Sequence, residues 1–203
     1  MTPGAAITEF ALLSLLVEVT PGPNMAYLAL VAATEGRAKG YAAVLGVALG
    51  LGLMGLLAAL GLATLVTAQP ALFQGLKWAG FFYLLWLAWQ GWAAAGEAVG
   101  HAAIGSSAAQ FFRRGLVTNL LNPKAALFYV TMLPGFIDPS TPVMPQSLML
   151  SAVYVAIATG VHAGLVTLAG AVQGLVAESG QGRRVRRVLA LALVAVAGWM
   201  ALQ

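Results

Sequence analysis

The sequence predicts an all-α integral membrane protein whose six transmembrane helices form two inverted three-helix repeats, with spans one and four broken at the midplane. Three observations predict it. Hydrophobic residues make up 61% and charged residues 8% of the 203 positions, and the mean hydropathy is +0.89. Soluble domains carry about 25% charged residues, and a domain this small has too much surface to hide such an apolar excess from water. The apolar residues fall into six runs, near 8–33, 41–66, 78–96, 115–137, 147–177 and 188–202. Runs one and four are interrupted by proline-containing segments at matching depth. A span needs about 20 apolar residues, so six spans with ordinary loops use the length and leave nothing for a soluble domain. The chain reads as a single transmembrane domain, 1–203: repeat one over about 1–96, a hinge loop over 97–114, and repeat two over about 115–203.

Composition excludes several kinds of chemistry. Cysteine is absent, which rules out disulfides, thiolate metal sites and thiol relays. The chain has no Walker loop, no His-Glu-x-x-His, no Gly-x-Ser-x-Gly and no paired carboxylates at one depth, so it reads as no enzyme, with no cofactor and no metal. Any energy source is then an ion gradient or the substrate's own gradient. The net charge of +4 and pI near 9.8 do not point to nucleic acid, because ten bases spread along a membrane chain serve orientation.

Taken in order, run one has no Lys or Arg ahead of it and carries Glu18 and Pro-Gly-Pro at its centre, so it reads as a span and not a signal peptide. Loop one holds Glu35, Arg37 and Lys39. Run two carries Gly46-x-x-x-Gly50, a spacing that lets helices approach closely. Loop two holds Lys77, and Gln90 in run three reads as a helix-to-helix hydrogen bond. The hinge contains Glu97, His101, Arg113 and Arg114 among small residues such as Gly100, Gly105, Ser106 and Ser107, which predicts flexibility and a solvated histidine. Loop four surrounds Asp138 with Pro134, Pro139, Pro142 and Pro145, a stiff outer turn or lid. Run five carries Gly160-x-x-x-Gly164, Gly170-x-x-x-Gly174, His162 and Gln173. Loop five holds Glu178, Arg183, Arg184, Arg186 and Arg187, and run six is short.

Loops one, three and five hold eight of the ten bases, so the positive-inside rule places them in the cytoplasm and both termini outside. The cluster at 183–187 then reads as a topology anchor.

At an offset of 100, Val19-Thr20-Pro21-Gly22-Pro23-Asn24-Met25-Ala26 aligns with Asn119-Leu120-Leu121-Asn122-Pro123-Lys124-Ala125-Ala126. Each half has an odd number of spans, so the second lies upside down relative to the first. Transporters of that layout form their sites at the midplane from interrupted helices. Proline lacks an N–H and clashes with the carbonyl four residues earlier, which predicts freed carbonyls at Val17, Val19 and Asn119. Each break also restarts a helix. Gly22 reads as an N-cap with Pro23 at the first helical position, and Asn122 as a stronger N-cap with Pro123 in the same place. The restarted helices aim N–H groups and a positive dipole end at the membrane centre, which suits a carboxylate.

Glu18 and Lys124 are the charges that fall well inside a span. A charge at helix centre costs about 2.5–3.5 kcal/mol on insertion scales, so such residues pair or line a polar path. One reading is a mutual salt bridge tying span one to span four. The other assigns Glu18 to an ammonium or a proton and Lys124 to a carboxylate, the two ions pairing in the empty site and parting when a zwitterion arrives. Asn24, Asn119 and Asn122 supply amide groups, and Tyr27 lies one turn after Asn24 on the same face. The expected substrate- and proton-binding set is Glu18, Pro21, Gly22, Pro23, Asn24, Tyr27, Asn119, Asn122, Pro123 and Lys124. His162 is a secondary candidate, either a proton relay or a bond between helices.

The Thr20-Pro21-Gly22-Pro23-Asn24 segment, the Gly36, Gly40, Gly46 and Gly50 series, and Asn119-Leu120-Leu121-Asn122-Pro123-Lys124 together resemble the LysE family, more closely its homoserine/threonine resistance branch, RhtB. The resemblance covers nearly the whole chain. It implies a bacterial inner-membrane exporter of small amino acids or derivatives, such as homoserine or threonine, driven by the proton-motive force. It implies that both motifs belong to the transport core, that the partners are the substrate, protons and the bilayer, and it leaves a homo-oligomer possible. The competing expectations are a non-transporting assembly subunit with a structural Glu18–Lys124 clamp, or a carrier for another solute class.

Overall fold

The computed structural model describes residues 3–61, 69–94, 107–178 and 181–202, and all the elements among them are helices. The expectations for Glu97, Gly100, His101, Gly105 and Ser106 in the hinge lie outside the described residues, as do those for the side chains of Gly174 and Glu178.

Helix α1 spans Pro3–Val19 and α2 spans Pro23–Glu35, and the two axes meet at 58° across the first break. Helix α3 follows as Arg37–Ala59. Gly36 joins α2 to α3 in one residue, with φ of 92°, a left-handed conformation that glycine adopts without a Cβ penalty. Helix α4 is Pro70–Ala93 and α5 is Ala108–Leu120. After the second break α6 starts at Pro123, and its α-helical turn to Leu127 continues through a π turn, Phe128–Met132, and a 3-10 turn, Leu133–Phe136. Helix α7 is Val143–Glu178 and α8 is Gly182–Leu202.

Among the described residues, three helices, or stretches of them, are long and apolar enough to cross a membrane: Arg37–Ala59, Val143–Ala171 and Gly182–Leu202. The bent pair α1–α2 meets the same test as one broken span. Helix α4 has the length, but it carries Gln74, Lys77, Gln90 and four tryptophans, residues that favour the membrane interface. Helices α5 and α6 are individually short because the Asn122-Pro123 break divides them.

Helix α8 begins six residues earlier than the sixth apolar run, at Gly182, so the arginines at 183–187 form its first turns instead of a loop. Arg186 is buried there, bonded to Glu35 at 3.1 Å, which is more than a topology anchor requires.

The helices pair across the two halves of the chain. Helix α3 packs on α5 and on α7, α7 on α1 and α2, and α4 on α8. Close approach explains three glycines at the α3–α5 crossing. A Cβ at Gly46 would run into the Phe112 carbonyl, one at Gly115 into the Ala43 carbonyl, and one at Gly50 would lie 2.8 Å from Asn119 Nδ2. A Cβ at Gly160 or Gly164 would meet nothing within 4 Å, so neither glycine is needed for close approach among the described residues. Leu12, Leu16, Leu45, Phe82, Trp89 and Leu168 lie exposed on the outer faces, an arrangement stable in lipid and not in water.

In loop four Gln146 bonds the Asp138 N–H and carbonyl, each at 2.9 Å, and Ser140 donates its hydroxyl and N–H to the Asp138 carboxylate at 2.6 and 2.9 Å. The two Ser140 bonds hold the carboxyl below the usual aspartate range, and the Gln146 bonds tie the turn to the start of α7.

Candidate functional site

The first break follows from what its prolines lack. Pro21 and Pro23 have no N–H to continue α1, so the helix ends at Val19. The Val17 carbonyl is not left free as the proline argument predicts, because it accepts the Thr20 N–H at 3.2 Å and the Thr20 hydroxyl at 2.6 Å. Gly22 is extended, with φ of −163° and ψ of 179°, and Pro23 opens α2 as expected. At the second break Asn122 caps α6, its Oδ1 accepting the Lys124 N–H at 3.0 Å, with Pro123 at the first helical position. The Asn119 carbonyl is also taken, by the Asn122 N–H at 2.9 Å. The breaks satisfy these backbone groups locally and leave side chains to line the site.

Those side chains meet. Asn24 Nδ2 donates to Asn119 Oδ1 at 2.9 Å, although the residues are 95 apart in the chain, and both are buried. Asn24 Oδ1 has no hydrogen-bond partner among the described residues. Lys124 reaches across in the other direction and donates to the Thr20 carbonyl at 2.8 Å. Gly22 makes room for it, since a Cβ there would lie 3.3 Å from Lys124 Cδ. A cavity of about 250 Å³ opens beside these groups, lined by Pro23, Asn122, Pro123 and Lys124 from the breaks, with Lys77 and Thr131.

Glu18 does not pair with Lys124, so the salt bridge that one of the two sequence readings places between them is absent. Its carboxylate accepts the Tyr154 hydroxyl at 2.6 Å on Oε1, and His162 Nε2 lies 3.2 Å from Oε2. Both partners come from α7, and all three residues are at most 5% exposed. Phe128 stacks on Tyr154 with centroids 3.8 Å apart and Phe10 packs on Phe128, so the carboxylate sits behind an aromatic wall. The reason the salt bridge fails is positional. Glu18 belongs to the end of α1 that packs on α7, whereas Lys124 opens α6 and is satisfied by the carbonyl at the break itself.

His162 therefore moves from a secondary candidate to a direct partner of Glu18, and Tyr154 is a residue the sequence reading missed. A signal existed: Ser147, Ser151, Tyr154 and His162 recur at helical spacing in an otherwise apolar run, and all four are buried. Pro21 takes part only through the backbone geometry of the break. Tyr27 is buried one turn further along α2, and its hydroxyl has no partner among the described residues.

The model for the family described as LysE type translocator matches residues 15–203 of the chain. The chain is 34% identical to the homoserine/homoserine lactone efflux protein of Salmonella typhimurium, over 79% of this chain and 78% of that protein. It is 32% identical to the leucine efflux protein of Salmonella choleraesuis, over 78% and 76% of the two chains. It is 34% identical to an uncharacterized membrane protein of Pseudomonas aeruginosa, over 83% and 82%. No solved structure matches the chain.

Proposed function

Given that the chain belongs to the LysE type translocator family, we propose that it is a secondary-active carrier that exports small amino acids or their derivatives, homoserine and threonine foremost, across the bacterial inner membrane. The observation that carries this reading is the meeting of two helix restarts. Asn24 bonds Asn119 while Lys124 reaches Thr20, beside a cavity lined by both breaks. The names of the efflux relatives point to the same solute class.

The chemistry follows from these groups. Lys124 exchanges the Thr20 carbonyl for the substrate carboxylate, a stronger, charge-assisted partner. The start of α2 adds N–H groups and a positive dipole end beside that charge. Asn24 Oδ1, an unused acceptor, takes a substrate ammonium or hydroxyl proton. Glu18 carries the coupled proton, with His162 and Tyr154 as its exchange partners within 3.2 Å.

Six spans in two inverted halves remain the architecture we assign. Its support is the exchange of partners: the broken first span packs on α7 of the second half, and the broken fourth span on α3 of the first. Alternating access then amounts to rocking one half against the other about the fixed Asn24–Asn119 level. Glu35 of the first odd loop pairs both with Lys39 of that loop and with Arg186 beside the fifth, which supports one cytoplasmic end and termini on the other side.

Growth of cells carrying the gene, in inhibitory homoserine, threonine or leucine, tests the function. Expression confers resistance and lowers the intracellular amino acid, and Glu18→Gln and Lys124→Ala remove that effect while the protein stays in the membrane. Resistance retained by both variants contradicts the site. No resistance to any amino acid contradicts the solute class.

A further inference from the structure

A second cavity, of about 180 Å³, lies along α2 from Tyr27 to Glu35, between α2, α4, α5 and α8. Its polar lining includes Tyr27, Glu35, Gln90, Gln110, Arg114 and Arg186. The charges in it are unevenly matched. Glu35 is shared by Arg186 and Lys39, at 3.1 Å each. Arg114 has no carboxylate within 4 Å among the described residues; its Nη2 donates to Gln90 Oε1 at 2.6 Å. Its guanidinium lies over Trp86 and Phe111, with centroids 5.5 and 5.7 Å away, so the planar group is held in place.

Tyr27 supplies an independent observation. It is 2% exposed, lines this cavity, and its hydroxyl has no hydrogen-bond partner among the described residues. A buried hydroxyl without a partner is costly, and an oriented guanidinium without a carboxylate is a fork whose geometry matches one. The volume falls below the roughly 300–1,000 Å³ of sites for drug-sized ligands, which favours a single small molecule.

We propose that this cavity is an entry site for the exported amino acid, in which Arg114 and the Tyr27 hydroxyl hold the α-carboxylate and Glu35 faces the ammonium. The proposal rests on the export reading and adds a station to it. Residues of the odd-numbered loops line the cavity, so substrate loads here from the cytoplasm. It then advances along the same face of α2, on which Tyr27 lies one turn from Pro23, towards Lys124.

Equilibrium binding of labelled L-threonine and L-leucine to the purified chain in lipid nanodiscs tests it, with L-leucine methyl ester as competitor. The wild type is expected to prefer the free acid to its ester by about tenfold or more. Arg114→Gln is expected to erase that preference, and Arg114→Lys to restore part of it. Tyr27→Phe is expected to weaken binding several-fold without lowering the thermal midpoint of the empty protein, because the hydroxyl it removes bonds nothing there. If Arg114→Gln and Tyr27→Phe both bind like the wild type, or if the acid preference is lost in Lys124→Ala instead, the entry site is overturned and export stands. If the wild type binds neither amino acid, the export reading falls and this proposal with it.

Discussion

Asn24 and Asn119 join the two helix breaks through a single side-chain hydrogen bond of 2.9 Å, although one lies in the second residue of α2 and the other in the last turn of α5. In hydrocarbon such a bond is worth about 0.6–1.7 kcal/mol, enough to fix the level at which the breaks meet without locking them together.

Removing it therefore has a modest effect on stability and a large one on function. Asn119→Ala is expected to lower unfolding stability by about 0.6–1.7 kcal/mol in detergent thermal scans and to cut export by more than that loss accounts for. Gly50→Ala is expected to reproduce the defect indirectly, because its Cβ would lie 2.8 Å from Asn119 Nδ2 and displace the amide. Normal export from Gly50→Ala would show that the position of Asn119 does not matter.

The Glu18 carboxylate, held by Tyr154 and His162, is assigned to the proton. Glu18→Gln is expected to abolish export driven by a proton gradient while leaving exchange of labelled for unlabelled amino acid across vesicles, since exchange needs no net proton movement. Tyr154→Phe is expected to slow both less severely. Loss of exchange together with driven export in Glu18→Gln would move Glu18 from coupling to substrate binding.

Because Glu18 and Lys124 have separate partners, reversing both charges does not rescue either. The double variant Glu18→Lys with Lys124→Glu is expected to be as inactive as the single ones, measured by efflux from preloaded cells. Recovery of transport would restore the clamp that the structure lacks.

Arg186, Glu35 and Lys39 tie the start of α8 to the end of α2 and the start of α3. Breaking a buried pair by removing one partner costs about 3–5 kcal/mol when the remaining charge is stranded. Lys39 still neutralises Glu35, so Arg186→Ala is expected to cost less than that, and Glu35→Ala, which strands the buried Arg186, more. Thermal unfolding of the two variants in the same detergent gives the order.

The breaks themselves were legible in the sequence, because proline chemistry and capping are local. Pro23 and Pro123 open helices where the sequence places them, and Asn122 caps as expected. The pairing of Glu18 was not legible. Two opposite charges in an apolar chain invite a bridge, but which helix faces each is decided by tertiary packing, and α7 brings Tyr154 and His162 to Glu18 instead. The free carbonyls expected at Val17 and Asn119 failed for a similar reason, since Thr20 and Asn122 turn back to cap them within the break. The start of α8 was hidden because arginines end an apolar run without ending a helix, and Arg186 stays helical and buried by pairing with Glu35.

Carriage of a small amino acid against a proton gradient is decided by flux into proteoliposomes of the purified protein, with labelled homoserine and threonine under an imposed gradient. Saturable, gradient-dependent movement of amino acid is expected in the wild type, and none above empty liposomes in Lys124→Ala. Equal flux in the wild type and Lys124→Ala, or flux that neither saturates nor responds to the gradient, would contradict it.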